Sequence, residues 1–205
     1  VEAWEAGFKL MRRYHTFHGR PQRYRLITLK GCFHGRTMAA ISAAKKEKLT
    51  DGFGPLMDGF DQIPPNDLDS LRSAITDETA GINFEPVLGE GGMLPLDWDY
   101  LQEVEKICRE KDILIFVDEI QSGMGRTGRL FAYEHSGIIP DIVCVAKGIG
   151  SGFPVGACLF AKKVAETISA GAHGTTYGGN PLAMAVASEV IQIILGKGFL
   201  ENVQE

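Results

Sequence analysis

The stretch Asp141-Ile-Val-Cys-Val-Ala-Lys147-Gly148-Ile-Gly150-Ser-Gly152-Phe-Pro154-Val-Gly156 decides how the rest of the chain is read. An apolar β-type run ends on a single lysine, and glycines follow at 148, 150 and 152. A strand end would hold Lys147 on a rigid support, away from the solvated surface lysines usually occupy. The glycines remove side chains around it and leave room for a flat ligand. Partial desolvation lowers an amine's pKa and frees it as a nucleophile, so a lysine in this setting suits imine formation. An ordinary surface lysine beside a glycine-rich loop fits the same residues, so the weight falls on what stands upstream.

Upstream lies Ile113-Leu-Ile-Phe-Val-Asp118-Glu119-Ile120-Gln121-Ser-Gly123-Met-Gly125-Arg-Thr-Gly128. Here a second apolar run delivers an acidic residue at its carboxyl end, where open α/β sheets place their ligand groups. Pyridoxal 5'-phosphate asks two things of a protein. A lysine must hold its aldehyde as a Schiff base, and a carboxylate must keep the pyridine nitrogen protonated so that the ring can withdraw electrons. Asp118 and Lys147, on two strand ends, would supply that pair. Alone, Asp118-Glu119 reads better as a helix cap with a solvated neighbour, and it is the pairing with Lys147 that favours the cofactor. The run Gly123-Met-Gly125-Arg-Thr-Gly128 matches the dinucleotide fingerprint by letter only, because Asp-Glu-Ile-Gln and Ser122 intervene between the strand and the first glycine and a weak helix start follows the last.

Five ordered motifs then resemble one family over essentially the whole chain. They are Gly31-Cys-Phe-His-Gly-Arg-Thr-Met, Phe84-Glu-Pro-Val-Leu-Gly-Glu-Gly-Gly, Val117-Asp-Glu-Ile-Gln-Ser-Gly-Met-Gly-Arg-Thr-Gly, Ala146-Lys-Gly-Ile-Gly and His173-Gly-Thr-Thr-Tyr-Gly-Gly-Asn-Pro-Leu-Ala. Together they are similar to the class III aminotransferases. The resemblance implies a three-layer α/β/α fold with a mostly parallel sheet, the large domain of a fold-type I pyridoxal-phosphate transferase. It also implies amino transfer between an amino acid and a 2-oxo acid, with members acting on N-acetylornithine and 2-oxoglutarate in arginine biosynthesis the most similar. Ornithine, succinylornithine and 4-aminobutyrate remain alternatives, as does a non-catalytic chain that binds cofactor or dimerises.

Residue by residue, the resemblance implies that Lys147 carries the cofactor and later moves the substrate proton, while Asp118 pairs with the pyridinium. Glu119 lies within the cofactor motif, and Gln121 is similar to the residue that hydrogen-bonds the ring hydroxyl. Ile120 and Phe33 would pack the two ring faces. Arg36 resembles the arginine that grips the substrate carboxylate, for which a planar guanidinium fork is suited. A cation at a helix start is disfavoured by the helix dipole, which sets Arg36 apart from an ordinary surface arginine. Glu90 and Thr175 are implied on the substrate side. Thr176 would hold the cofactor phosphate and reach a neighbouring subunit, which implies a homodimer with shared active sites. Glu85 is a further candidate at a strand end. Leu88 stands where the family commonly has Gln, and Asn83-Phe84 replaces an aliphatic pair, both bearing on the packing around Glu85.

Composition sets the outer limits. The chain has 205 residues, 44% hydrophobic and 23% charged, enough for a sizeable core. A net charge of −5 argues against nucleic acid or an anionic membrane as partner. The four cysteines show no C-x-x-C pairing, and three sit in apolar runs, which reads as a reduced, cytoplasmic protein. No run approaches the length of a membrane span, and no signal-peptide pattern is present. The histidines show no metal-ligand spacing, so His34 and His173 read as structural or solvated and no metal is expected. Both chain ends fall inside helical patterns, so the resemblance implies a large domain over residues 1–205, cut at both ends and lacking the small domain.

Apolar β-rich runs alternate with helical segments, the pattern of an α/β protein. Strands are expected at Tyr24–Leu29, Ala80–Glu85, Ile113–Val117, Ile142–Val145 and Val155–Ala161. Helices are expected at Glu2–Tyr14, Thr37–Ala44, Leu68–Ile75, Tyr100–Lys111 and Pro181–Leu195, with Asp97 or Asp99 capping the fourth. The segment 52–66 reads as irregular, and the family resemblance turns it toward the dimer face.

Overall fold

The computed structural model describes residues 1–205. In chain order the elements are α1 (Glu2–Phe17), β1 (Arg25–Leu29), α2 (Met38–Ala44), α3 (Glu47–Thr50), β2 (Phe60–Ile63), α4 (Leu68–Ala74), β3 (Thr79–Phe84), β4 (Val87–Leu88) and β5 (Leu94–Pro95). They continue with α5 (Trp98–Lys111), β6 (Leu114–Asp118), β7 (Ile142–Val145), β8 (Ala157–Phe160), α6 (Lys162–Ala165), α7 (Pro181–Ile194) and α8 (Phe199–Gln204). Short 3-10 turns cover Ala132–His135 and Lys147–Gly150.

The main sheet runs β2-β1-β3-β6-β7-β8. Its first five strands are parallel, and β8 returns antiparallel to β7. Alternate residues of each central strand feed separate cores. Ile27, Leu29, Ile82, Phe84, Ile115 and Val117 pack with Leu71 of α4 and with Leu101, Val104 and Cys108 of α5. Leu26, Ala80, Leu114, Phe116, Ile142 and Cys144 pack on the other side with Trp4, Phe8 and Met11 of α1 and with the alanines of α2. A sheet covered on both faces needs apolar residues at successive positions, which is why these strands read as continuous apolar runs rather than alternating ones. The result is the expected three-layer α/β/α arrangement, with parallel strands that share one carboxyl edge.

The structure corrects several details. Residues 60–63, read as irregular, form edge strand β2 with only Phe60 and Ile63 buried. Asp61 of β2 is paired with Arg25 at 2.7 and 2.8 Å, an anchor that hydrophobic periodicity cannot register. Asp97 occupies the cap position of α5, but its side chain makes no capping bond. Its own backbone N–H donates to Asn66 Oδ1 at 3.0 Å instead. Leu88 is buried in the first core. Asn83 is buried and fully used, its Oδ1 accepting from Trp4 Nε1 at 2.8 Å and its Nδ2 donating to the Phe116 carbonyl at 2.9 Å. The two departures from the family pattern are therefore both absorbed by packing.

Candidate active site

The carboxyl edge of the parallel strands gathers residues from four loops. The β1 loop brings Phe33 and His34, β3 ends just before Glu85, β6 ends on Asp118, and β7 leads into Lys147. Register places Asp118 directly opposite Cys144 on β7, so Lys147 follows three residues beyond Asp118's own neighbour. Lys147 adopts φ 45°, a left-handed conformation that a non-glycine residue takes only where its surroundings hold it. Its Nζ donates to Gln121 Oε1 at 2.5 Å. Gln121 in turn lies against Gly89, where a Cβ would come within 2.5 Å of the Gln121 amide nitrogen. The amine is exposed, contrary to the expectation of a lysine withdrawn from solvent. The glycines that make room beside it also leave it uncovered.

Asp118 is the opposite case, only 2% exposed. Its Oδ1 accepts the Ile120 backbone N–H at 3.0 Å, and its Oδ2 meets His34 Nδ1 at 2.7 Å. His34 is itself buried and stacked on Trp4, with ring centroids 5.3 Å apart and 9° between planes. Burial opposes a charge on this ring, but Cys32 and the Asp118 carboxylate outweigh it and push the His34 pKa well above its ordinary value. The sequence reading placed His34 among structural or solvated histidines. The structure makes it the partner of the buried acid. Asp118 lies 84 residues away, so no local spacing could have shown the pair.

Phe33 and Ile120 are partly buried, one packed against each of the two cores that flank the edge. Glu85 is buried, and its Oε2 accepts the Phe33 backbone N–H at 2.9 Å. Glu119 does not join the cluster. Its carboxylate is fully buried, accepting from Tyr133 N at 2.8 Å and from Ser122 Oγ at 2.6 Å, so it fastens the β6 loop to the Ala132–His135 turn. Burial pushes its pKa up to about 7. Arg36 is exposed on the bend ahead of α2. Glu90 is exposed, with only its carbonyl engaged, by Lys46 Nζ at 3.4 Å. Thr175 and Thr176 are exposed on the turn ahead of α7, whose first turn Asn180 caps by accepting from Ala183 N at 2.9 Å. These four sit outside the hydrogen-bonded cluster around Asp118 and Lys147. A cavity of about 600 Å³ opens beside Lys147, walled by Met124, Phe153, Val190, Ile194 and Phe199 among others, but Asp118 is not part of it. No group of three His, Cys, Asp or Glu side chains is placed to hold a metal ion.

This edge matches what comparison with known proteins shows. The family model described as aminotransferase class-III matches residues 1–205. The chain is a member of the class III aminotransferase family. Among curated relatives of this class III chain, the acetylornithine aminotransferase of Agrobacterium fabrum is 52% identical over 205 residues, and that of Brucella melitensis is 53% identical over 204. Both alignments take in 100% of the chain and 51% of the relative, so the chain spans about half the length of the curated relatives it matches. An ornithine aminotransferase structure from Toxoplasma gondii superposes with TM-score 0.90 at 36% identity, covering 94% of the chain and 47% of that structure. An N-acetylornithine aminotransferase structure from Stenotrophomonas maltophilia gives 0.78 at 37% identity, covering 98% and 47%. These transaminase neighbours place the sheet in fold-type I.

The family implies pyridoxal 5'-phosphate, and the donor set fits that group. An exposed amine follows the strand paired with β6, and β6 ends on a buried carboxylate braced by an imidazole, with an amide on the lysine and two partly buried apolar side chains nearby in sequence. His34 Nε2 has no hydrogen-bond partner, and the ring is held by its bond to Asp118 and by the Trp4 stack.

Proposed function

We propose that this chain supplies the cofactor-binding half of an aminotransferase that moves an amino group from N-acetylornithine to 2-oxoglutarate. The observation that carries the reading is a buried, imidazole-braced Asp118 on β6 beside an accessible Lys147 following β7. Bound pyridoxal 5'-phosphate would supply an electron sink for the carbon that bears the amino group. Lys147 would hold the cofactor through Nζ and, once released, take the proton from the substrate's amine-bearing carbon as a general base. Asp118 Oδ2, held by His34, would keep a proton on the pyridine nitrogen, a charge-assisted contact strengthened by burial. Gln121 Oε1 orients the Lys147 amine and would pass its amide to the ring hydroxyl. Phe33 and Ile120 would close the two ring faces and exclude water.

Arg36 would bind the substrate carboxylate, with Glu90 and Thr175 on the same side. Thr176 would reach the phosphate held by a second copy, which accounts for threonines exposed on a turn away from the buried acid. The working unit is then a homodimer, placed in arginine biosynthesis and in the cytoplasm. No helix is long and apolar enough to cross a membrane. Support for the substrate comes from the curated relatives named for acetylornithine. A second reading, ornithine as donor, is favoured by the higher TM-score of the Toxoplasma gondii enzyme.

The test is amino transfer to 2-oxoglutarate with N-acetylornithine, succinylornithine, ornithine and 4-aminobutyrate as competing donors. The proposal expects the highest kcat/KM for N-acetylornithine. Preference for ornithine would favour the second reading, and transfer from none of them would overturn both.

A further inference from the structure

Glu85 is a buried carboxylate that the reaction as proposed does not use. It is 5% exposed and stands one residue past β3, between the end of β6 and the β1 loop. Its Oε2 accepts the Phe33 N–H at 2.9 Å, and the backbone N–H of Gly89, four residues along the chain, faces it on the side that favours the ionised form. These two partners belong to different sides of the site. Phe33 precedes His34, the brace of Asp118. Gly89 is the floor on which Gln121 rests, and Gln121 holds the Lys147 amine at 2.5 Å.

We infer that Glu85 is a positioning residue, whose carboxylate ties the Phe33 loop to the segment after β3 that carries Gly89 and so fixes the ring-facing aromatic and the lysine-holding amide in one arrangement. This rests on the cofactor reading of Lys147 and Asp118. An N–H bond to a carboxylate is strongest when the carboxylate is ionised, and weakening such a charge-assisted bond loosens the loop it holds. The groups facing it pull in opposite directions. Burial raises its pKa to about 7, His34 from the β1 loop favours the ionised form, and Asp118 from β6 disfavours it. Protonation below about pH 7 removes one acceptor lone pair and weakens the tie. Glu85 therefore makes the site's order depend on pH within the neutral range.

The test uses the parent protein, Glu85→Gln and Glu85→Asp. Two quantities are measured across the neutral range, namely amide exchange at Phe33 without cofactor and equilibrium affinity for pyridoxal 5'-phosphate, with attachment at Lys147 checked by reductive trapping. The parent is expected to protect the Phe33 amide and to bind cofactor more tightly as pH rises through about 7. Glu85→Gln should lose that step, exchange faster at Phe33 and bind about tenfold more weakly above neutrality, the size of one charged hydrogen bond. Glu85→Asp keeps the charge one methylene short, so it should keep the step with intermediate affinity. It also keeps the question open to test if the Gln variant does not fold. Trapping at Lys147 with unchanged affinity, pH profile and Phe33 exchange in both variants would overturn the positioning role alone. Failure to trap at Lys147 in the parent would overturn the cofactor reading, and the role with it.

Discussion

Asp118 and Lys147, the proposed cofactor pair, are two residues of common type set apart by their opposite exposure. A carboxylate taken out of water needs a partner, and His34 supplies one at 2.7 Å, while Lys147 needs access and keeps it. Replacing Asp118 with Asn should leave the lysine free to take the cofactor but remove the charge that keeps the pyridine nitrogen protonated. Single-turnover absorbance with saturating amino donor should then show the proton-transfer step slowed by about a hundredfold or more. Asp118 and Lys147 stand out in the sequence as candidates because each follows an apolar run. His34 does not, because its meaning comes from a side chain brought near only by the fold. Glu119 was misread for a related reason. A motif places a residue next to a site in sequence, but its side chain turned the other way, to Ser122 and Tyr133.

At the scale of elements, α1 is the support behind the buried acid. Trp4 stacks on His34 and donates to Asn83, and Gly7 lets the helix close on the sheet. A Cβ at Gly7 would come within 2.5 Å of the Phe116 ring. Gly7→Ala should therefore destabilise the fold by about 1–3 kcal/mol through overpacking, despite alanine's better helix propensity. Urea denaturation would measure this, and an unchanged or raised midpoint would contradict it. Strands buried on both faces and helices with an apolar stripe were legible, since each carries its burial in its own residues. Edge strand β2 was not, because only Phe60 and Ile63 of its four residues are buried and Asp61 is held by Arg25, which leaves no alternation to read. The hairpin β4–β5 is two residues per strand and leaves no period to read.

For the whole molecule, buried groups with shifted pKa values shape how stability follows pH, Glu85, Glu119 and His15 among them. Glu85 and Glu119 are both raised from 4.5 to about 7 by burial, so the native state holds protons that the unfolded chain has lost. Their contribution is full below about pH 4.5 and is lost as pH rises to about 7, by about 3 kcal/mol for each at most. His15 acts in the other direction. Burial lowers it from 6.5 to about 4, so its contribution is full above about pH 6.5 and lost as pH falls toward 4. Glu119→Gln should accordingly become more stable relative to the parent as pH rises from about 4.5 to about 7, read as a growing gap in denaturant midpoint. A gap independent of pH would contradict the assignment.

The sheet brings the carboxyl ends of β6 and β7 together, and the functional reading depends on that meeting. The most direct test is to equilibrate the protein with pyridoxal 5'-phosphate, reduce with borohydride, and map the modified residue by peptide mass. Modification at Lys147, lost in Lys147→Ala, is the expected result. Modification spread over other lysines, or undiminished in Lys147→Ala, would contradict the site.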